Sequence, residues 1–225
     1  MSIKAIIFDM DGTIIDTEHI WKKATEALIV SKGVAYTPEL HEELSRRLHG
    51  MSMSKCIKLI KDIVQLDDSV EDLIKEKNIL ADALFSEGVR FIEGFETFHT
   101  LVQQKNLKMA IATNAGDNTI TLVDQALDLK RFFGEHMYGI SSVNYVCKPD
   151  PAIYVHAAQK LGIDPQECIA IEDSARGIEA AKNAGMLCIG INTAQNKQLL
   201  ESAHHIIDFY HEIDLHTLTS KKHPF

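Results

Sequence analysis

Long apolar runs are missing from this chain of 225 residues. The N-terminal hydrophobic stretch, Ala5 to Phe8, is broken by Asp9. It is too short for the core of a signal peptide or for a membrane span, which needs about 20 residues. Cysteine is scarce. Cys56, Cys147, Cys168 and Cys188 form no CxxC pair, so they read as free thiols in a reducing compartment, and the expected location is cytoplasmic. Basic residues are outnumbered, 23 against 32, for a net charge of -9. That argues against the basic face of a general nucleic-acid binder and leaves a small anionic substrate dependent on a local cation. Repeats and low-complexity tracts are absent as well. Five of the eleven histidines, His204, His205, His211, His216 and His223, crowd the C-terminus without zinc-type spacing to cysteine and read as solvated surface. The remaining composition is that of a soluble globular protein.

What is present is organised around Ala5-Ile6-Ile7-Phe8-Asp9-Met10-Asp11-Gly12-Thr13. It opens as an apolar β-rich run, the pattern of a buried central strand. Free carboxylates do not belong inside such a strand, so Asp9 and Asp11 should stand where it runs out and the chain turns. In open parallel sheets ligands bind at that carboxyl edge. Residues i and i+2 of an extended chain point the same way. Two carboxylates converging on one spot repel unless a cation or a shared proton separates them. The stretch therefore predicts a hard-metal site at a strand end, with Gly12 allowing the sharp exit.

The first strand is expected over Ile3 to Asp9. From about Thr17 to Glu87 the pattern is helical throughout. Trp21, Ala24, Leu28 and Ile29 recur at helical spacing, and Trp21 reads as packing. Pro38 and Glu39 open a second helix behind Thr37 as N-cap, carrying Leu40, Leu44 and Leu48. Ser52 or Ser54 caps a third and Ser69 a fourth. These four amphipathic helices suggest a small bundle. After Gly88 helices and strands alternate. A helix is expected over about Glu96 to Lys105, a strand from Leu107 to Asn114, a helix over Asn118 to Leu127 and a short strand from Met137 to Ile140. The helix through Leu161 opens at Lys148-Pro149-Asp150-Pro151. Cys168 to Ile171 is a strand ending in Glu172-Asp173, followed by an Ala-rich helix stopped by Gly185, a strand to Ile191 and a last one at His205 to Ile207. Such alternation implies a parallel sheet. The fold class is α/β: a Rossmann-like parallel sheet core, residues 1–16 and 88–225, interrupted after its first strand by a helical-bundle domain, residues 17–87.

Further chemistry falls at strand ends. Thr113 and Asn114 offer a hydroxyl and an amide to phosphate oxygens, Lys148 a point positive charge, and Glu172 and Asp173 two more carboxylates. An all-oxygen set favours Mg²⁺, which takes one or two protein carboxylates plus waters and a substrate phosphate. Phosphoryl transfer depends on such positioning and charge stabilisation. One carboxylate can attack phosphorus and another can move the proton; spacing alone leaves open which of Asp9 and Asp11 does which.

Taken together, Asp9-Met10-Asp11-Gly12-Thr13, Thr113-Asn114, Lys148-Pro149-Asp150-Pro151 and Ile171-Glu172-Asp173-Ser174 resemble the four motifs of the haloacid dehalogenase-like hydrolases, in that family's order and over nearly the whole chain. The helical insert resembles the family's type-1 cap. The resemblance implies Asp9 as nucleophile and Asp11 as general acid/base. It implies a metal shell of Asp9, the Asp11 carbonyl and Asp173, with Glu172 in or beside it. Thr113 and Lys148 would hold the transferring phosphate. Dehalogenase members lack the second aspartate, so Asp11 favours phosphate chemistry. Within that family the chain resembles the β-phosphoglucomutase-like sugar-phosphate phosphatases. Its stretch Leu48-His49-Gly50-Met51-Ser52-Met53-Ser54 resembles their substrate loop, which makes His49 and Gly50, with Glu18 at the hinge, candidate substrate contacts. Met53 stands where the mutase has a phosphate-gripping arginine, and Ala115 where it has a serine. Both departures favour hydrolysis over a mutase.

Read singly, each feature has a plainer account. Paired aspartates suit a turn, Glu172-Asp173 suit a helix N-terminus, Lys148 is an ordinary solvated lysine, and Thr113-Asn114 an N-cap pair. Only their joint occurrence at strand ends makes the stronger one. The expected partner is a small phosphorylated metabolite, with no nucleic acid and no membrane, for a monomer or weak homodimer. The competing readings are a β-phosphoglucomutase-type hexose-phosphate mutase and a non-catalytic phosphate- or metal-binding regulatory protein.

Overall fold

The computed structural model describes residues 2–48, 53–85 and 88–219. A first strand, β1 (Ala5–Phe8), leads into four helices: α1 (Glu18–Ser31), α2 (Pro38–Leu48), α3 (Met53–Val64) and α4 (Val70–Phe85). Then α5 (Phe95–Gln104), β2 (Lys108–Ala112), α6 (Asp117–Leu127), the single turn α7 (Lys130–Phe133) and β3 (Met137–Tyr138) follow. The chain continues through α8 (Ala152–Leu161), β4 (Cys168–Glu172), α9 (Ala175–Asn183), β5 (Leu187–Ile191), β6 (His205–Ile207) and α10 (Leu215–Thr219). Two compact units result, Met1–Thr17 with Val89–Phe225, and Glu18–Gly88.

The larger unit is built on one six-stranded sheet in the order β3-β2-β1-β4-β5-β6. Every pairing is parallel. β1 lies between β2 and β4, with Ile7 opposite Ala110 on one side and Ala170 on the other. All four β1 residues are buried, as an apolar run in a sheet covered on both faces requires. On one face Ala5, Ile7, Ala110, Ala112 and Ala170 pack with Ile153, Tyr154, Ala157 and Ala158 of α8. Small residues on the sheet let that helix approach closely. On the other side Phe8 meets Phe95, Phe98 and Phe133 edge-on, with ring centroids 5.8 to 6.2 Å apart, a favoured aromatic geometry.

The smaller unit is helical. Leu28, Ile29, Leu44, Ile57, Ile60, Leu66 and Leu73 form its core. Thr37 accepts the Leu40 N–H at the start of α2, and Ser69 accepts the Asp72 N–H at the start of α4. Trp21 packs edge-on against Phe85, 6.0 Å between centroids. Lys32 joins Asp68 and Glu76.

Several boundaries differ from the sequence expectation. β1 stops at Phe8, although the Asp9 N–H still bonds the Ile171 carbonyl. The strand expected over Met137 to Ile140 is two residues long, because Ile140 N–H turns to the Ala115 carbonyl and a 3-10 turn, Ile140–Val143, begins. α6 starts behind Gly116, so Thr113-Asn114 is not its N-cap. α8 starts at Ala152 rather than at Lys148. Of the three leucines expected inside α2, only Leu44 is buried. Ser54 lies within α3, and Ser52 is outside the described residues. α7 and α10 carry too few residues to show a helical period.

His99 sits among Phe95, Phe132 and Phe133, its Nε2 donating to the Phe132 carbonyl at 3.0 Å. Burial, aided by the Arg131 charge, holds its pKa below the ordinary 6.5. A histidine depressed in the folded state stabilises it fully above the unfolded value and loses that contribution as pH falls below about 6.5. His99→Gln, uncharged at both pH values, should therefore lose less of its urea midpoint between pH 7 and pH 5 than the wild type does. An equal loss in both proteins would contradict this.

Candidate active site

Four loops meet at the carboxyl edge of the central strands. Asp9 follows β1 and is buried. Its Oδ1 accepts from Lys148 Nζ at 2.5 Å. Lys148 lies in the loop before α8 and is only 3% exposed. Its ammonium also donates to Glu172 Oε1 at 2.6 Å and to the Tyr154 hydroxyl at 3.2 Å. Tyr154, fully buried on α8, donates its own hydroxyl hydrogen bond to Glu172 Oε1 at 3.0 Å. A buried ammonium is tolerated when paired and hydrogen-bonded in this way.

The backbone around Lys148 is held from two sides. Its N–H donates to Asn114 Oδ1 at 3.0 Å, and its carbonyl accepts from Arg176 of α9. The Lys148–Pro149 peptide is cis. Thr113, buried at the end of β2, accepts the Ala115 N–H on its hydroxyl oxygen at 3.0 Å.

Glu172 closes β4 with both oxygens engaged. Oε1 takes the Lys148 and Tyr154 donors, and Oε2 takes the Ser174 N–H and hydroxyl at 3.1 and 2.9 Å. Its carboxylate lies over Gly177, where a Cβ would overlap it. Asp173 lies against Gly12 in the same way, and Gly12 adopts φ +73°. Thr13 donates a long 3.4 Å bond to Asp173 Oδ1. Among the described residues, Asp9, Glu172 and Asp173 bring carboxylate oxygens within 4.8 Å of one another.

That concentration of like charge is visible in the protonation equilibria. Burial first, then Glu172 and Asp11, push the Asp9 carboxyl up to about 8 against the pull of Lys148. Burial and the neighbouring Glu172, Asp9 and Asp11 carboxylates push Asp173 far above the carboxylate range. Burial works to lower the Lys148 ammonium, but Asp9 and Glu172 outweigh it and hold the pKa above the ordinary lysine value. The cluster thus holds either protons or a cation. The donor set fits a hard divalent ion: all oxygen, with Gly12 leaving room for Asp173. Each carboxylate oxygen offers two acceptor positions. Those of Glu172 are filled by protein donors, whereas Asp9 and Asp173 keep lone pairs for an ion.

Of the residues singled out from sequence, Asp9, Lys148 and Glu172 are in direct contact and Asp173 adjoins them. Thr113 ends the strand beside β1, and Asn114 holds the Lys148 backbone. Asp11, two residues beyond Asp9, is half-buried. Glu18 is exposed on the helical unit and pairs with Lys22 at 2.8 Å. His49 and Gly50 lie outside the described residues. Tyr154, Arg176 and Gly177 were not foreseen. A glycine inside an Ala-rich helix is a signal that could have marked Gly177; nothing in the local pattern marks Tyr154.

Comparison with known proteins is consistent with this geometry. The model of the haloacid dehalogenase-like hydrolase family matches residues 3–185. The chain is 32% identical to the phosphorylated carbohydrates phosphatase of Thermotoga maritima, over 82% of each chain. It is 28% identical to the 6-phosphogluconate phosphatase of Escherichia coli K12, over 82% of this chain and 80% of that one. The β-phosphoglucomutase of Clostridium difficile superposes with a TM-score of 0.74 at 25% identity, covering 95% of this chain and 94% of that one.

An alanine in a helix interior ordinarily stabilises by up to about 1 kcal/mol over glycine. At position 177 the sign should reverse, because the new methyl group overlaps the Glu172 carboxylate. Gly177→Ala should destabilise by about 1–3 kcal/mol, the usual cost of overpacking. Urea unfolding measures it, and a gain in stability would contradict the placement of Glu172.

Proposed function

The chain belongs to the haloacid dehalogenase-like hydrolases, and from that membership we propose that it is a Mg²⁺-dependent phosphatase acting on a small sugar-phosphate-like monoester. The observation that carries this reading is the Lys148 ammonium bridging Asp9 and Glu172 beside Asp173.

In the first half-reaction an Asp9 carboxylate oxygen attacks phosphorus. The bond between phosphorus and the ester oxygen breaks, and the protonated Asp11 carboxyl gives its proton to the leaving alcohol. In the second, Asp11, now a carboxylate, takes a proton from water. The water oxygen bonds to phosphorus and the Asp9–phosphate bond breaks, releasing phosphate. Lys148 and Thr113 would hold the non-bridging oxygens, Lys148 exchanging one of its three protein acceptors for phosphate, and Asn114 keeps Lys148 in register through its N–H. Asp9, Asp173 and the Asp11 carbonyl would hold Mg²⁺, with Glu172 fixing Lys148 at their side. The ion, when bound, neutralises charge on the phosphoryl oxygens.

The helical unit inserted after β1 is assigned the role of a specificity cap, with Glu18, His49 and Gly50 as candidate contacts to the leaving group. Small phosphorylated carbohydrates are the favoured substrates because the named relatives act on such compounds. No helix among the described residues is long and apolar enough to cross a membrane, which suits a soluble substrate.

Asp9→Asn should lower kcat by roughly 10⁴-fold or more, as loss of a catalytic nucleophile does in other hydrolases, measured on a generic aryl phosphate and then on a panel of sugar phosphates. Near-normal turnover would remove Asp9 from the mechanism. Incubation with β-glucose 1-phosphate and a trace of the bisphosphate should yield phosphate and not glucose 6-phosphate, since Met53 and Ala115 replace the mutase's arginine and serine.

Because the Asp9 carboxyl titrates at about 8, an ion must displace its proton at lower pH. Mg²⁺ affinity should rise with pH from 6 towards 8, by about tenfold per unit for each proton released, from Asp9 and also from Asp173, whose carboxyl is raised too. Calorimetric titration at pH 6, 7 and 8 measures it, and an affinity that ignores pH would show that Asp9 is already ionised.

A further inference from the structure

Two hydrogen bonds reach the acidic loop from outside the four motifs. We propose that the residues making them, Thr193 and Tyr210, are positioning residues for the divalent-ion site, an inference that rests on the Mg²⁺-dependent phosphatase reading above. Thr193 stands two residues beyond β5, and its hydroxyl donates to the Gly12 carbonyl at 2.7 Å. Tyr210 begins a 3-10 turn after β6, and its hydroxyl donates to the Thr13 carbonyl at 2.9 Å.

The loop they grip is where the site needs rigidity and the backbone offers least of it. Gly12, at φ +73°, has no side chain to restrict the peptides on either side. Yet Asp173 rests directly against it. The loop's N–H groups are spent within the turn: Gly12 on the Ile15 carbonyl, Thr13 and Ile14 on that of Met10. With the Ile14 carbonyl, which accepts the Ile92 N–H, the carbonyls of Gly12 and Thr13 are handles through which the rest of the fold holds the turn. Fixing those two peptide planes fixes the wall behind Asp173, and the Thr13 side chain that donates to it.

Both donors are firmly mounted. The Tyr210 ring packs against Phe95 and Phe98, with centroids 6.0 and 5.1 Å away. Asn192, next to Thr193, gives its N–H to the Ile207 carbonyl and its side-chain amide to Asp208. Asp208 is tied in turn to Lys197. Neither hydroxyl contacts the carboxylate cluster in this arrangement; each acts through the backbone of residues 12 and 13. Mg²⁺ requires near-ideal octahedral geometry, and partners one shell behind the ligands commonly govern affinity by 10- to 100-fold.

Thr193→Val and Tyr210→Phe preserve volume and remove only the hydroxyl, and Thr193→Ser keeps it. Mg²⁺ is titrated calorimetrically into the full chain at one pH, and Mg²⁺ activation of aryl-phosphate hydrolysis is followed in parallel. T193V and Y210F should each bind Mg²⁺ roughly tenfold more weakly, with half-activation moved by the same factor, and T193S should restore wild-type binding. The proposal is overturned if T193V and Y210F bind Mg²⁺ as the wild type does, even at a lowered melting temperature, or if T193S loses as much as T193V. The two variants are independent, so failure of one to fold leaves the other decisive. A wild-type chain that neither binds Mg²⁺ nor hydrolyses the ester would overturn the phosphatase reading itself; an active, Mg²⁺-binding wild type with unmoved variants overturns only the positioning role of Thr193 and Tyr210.

Discussion

The buried ammonium of Lys148 ties the site together. It lies among Asp9, Glu172 and the Tyr154 hydroxyl, with almost no access to solvent. An isolated charge there would be very costly, and each partner alone would be costly too. Assembled, they satisfy one another and join three loops of the sheet: the end of β1, the approach to α8 and the end of β4. The assembly is still unbalanced. Three carboxylates face one lysine, and burial first, with the excess negative charge adding to it, lifts the Asp9 and Asp173 carboxyls. A group of this kind takes up protons or a metal ion, and in the proposed mechanism phosphate beside such an ion would meet Asp9, held in place by its lysine.

The packing beneath the site serves that assembly. Alanines on β2 and β4 bring α8 close to the sheet, which carries the Tyr154 hydroxyl to Lys148 and Glu172. The aromatic layer on the opposite face, Phe8 with Phe95, Phe98 and Phe133, fixes the strand that leads into Asp9. Two glycines then remove obstacles, Gly12 beside Asp173 and Gly177 beside Glu172. Carboxylates are held this near to backbone only where no Cβ intervenes, so these glycines are as much part of the site as the acids.

The sheet and its order of elements were legible because apolar runs of four or five residues, alternating with helical periods, leave few alternatives to a parallel α/β core. The four helices of the insert were legible for the same reason, with Thr37 and Ser69 as caps. Short elements were not. α7 and α10 span about one turn each, and β3 has two residues because Ile140 is drawn to the Ala115 carbonyl. Those outcomes are settled by partners distant in sequence, which a local window does not contain.

For the site, the sequence alone determined which chemistry was present: carboxylates at two strand ends, one lysine, one hydroxyl, and an order of motifs resembling a known hydrolase family. Those facts are covalent, written in residue type and spacing. The tertiary structure alone decided how the groups divide their work. Glu172 is filled by four protein donors and Asp173 is not; Asn114 turns its amide oxygen to the Lys148 backbone; Tyr154, Thr193 and Tyr210 enter from helices and turns that carry no motif. Such assignments depend on which hydrogen-bond partners come within about 3 Å, and contacts such as Lys148 to Glu172, 24 positions apart, or Tyr210 to Thr13, 197 apart, exist only once the chain has folded.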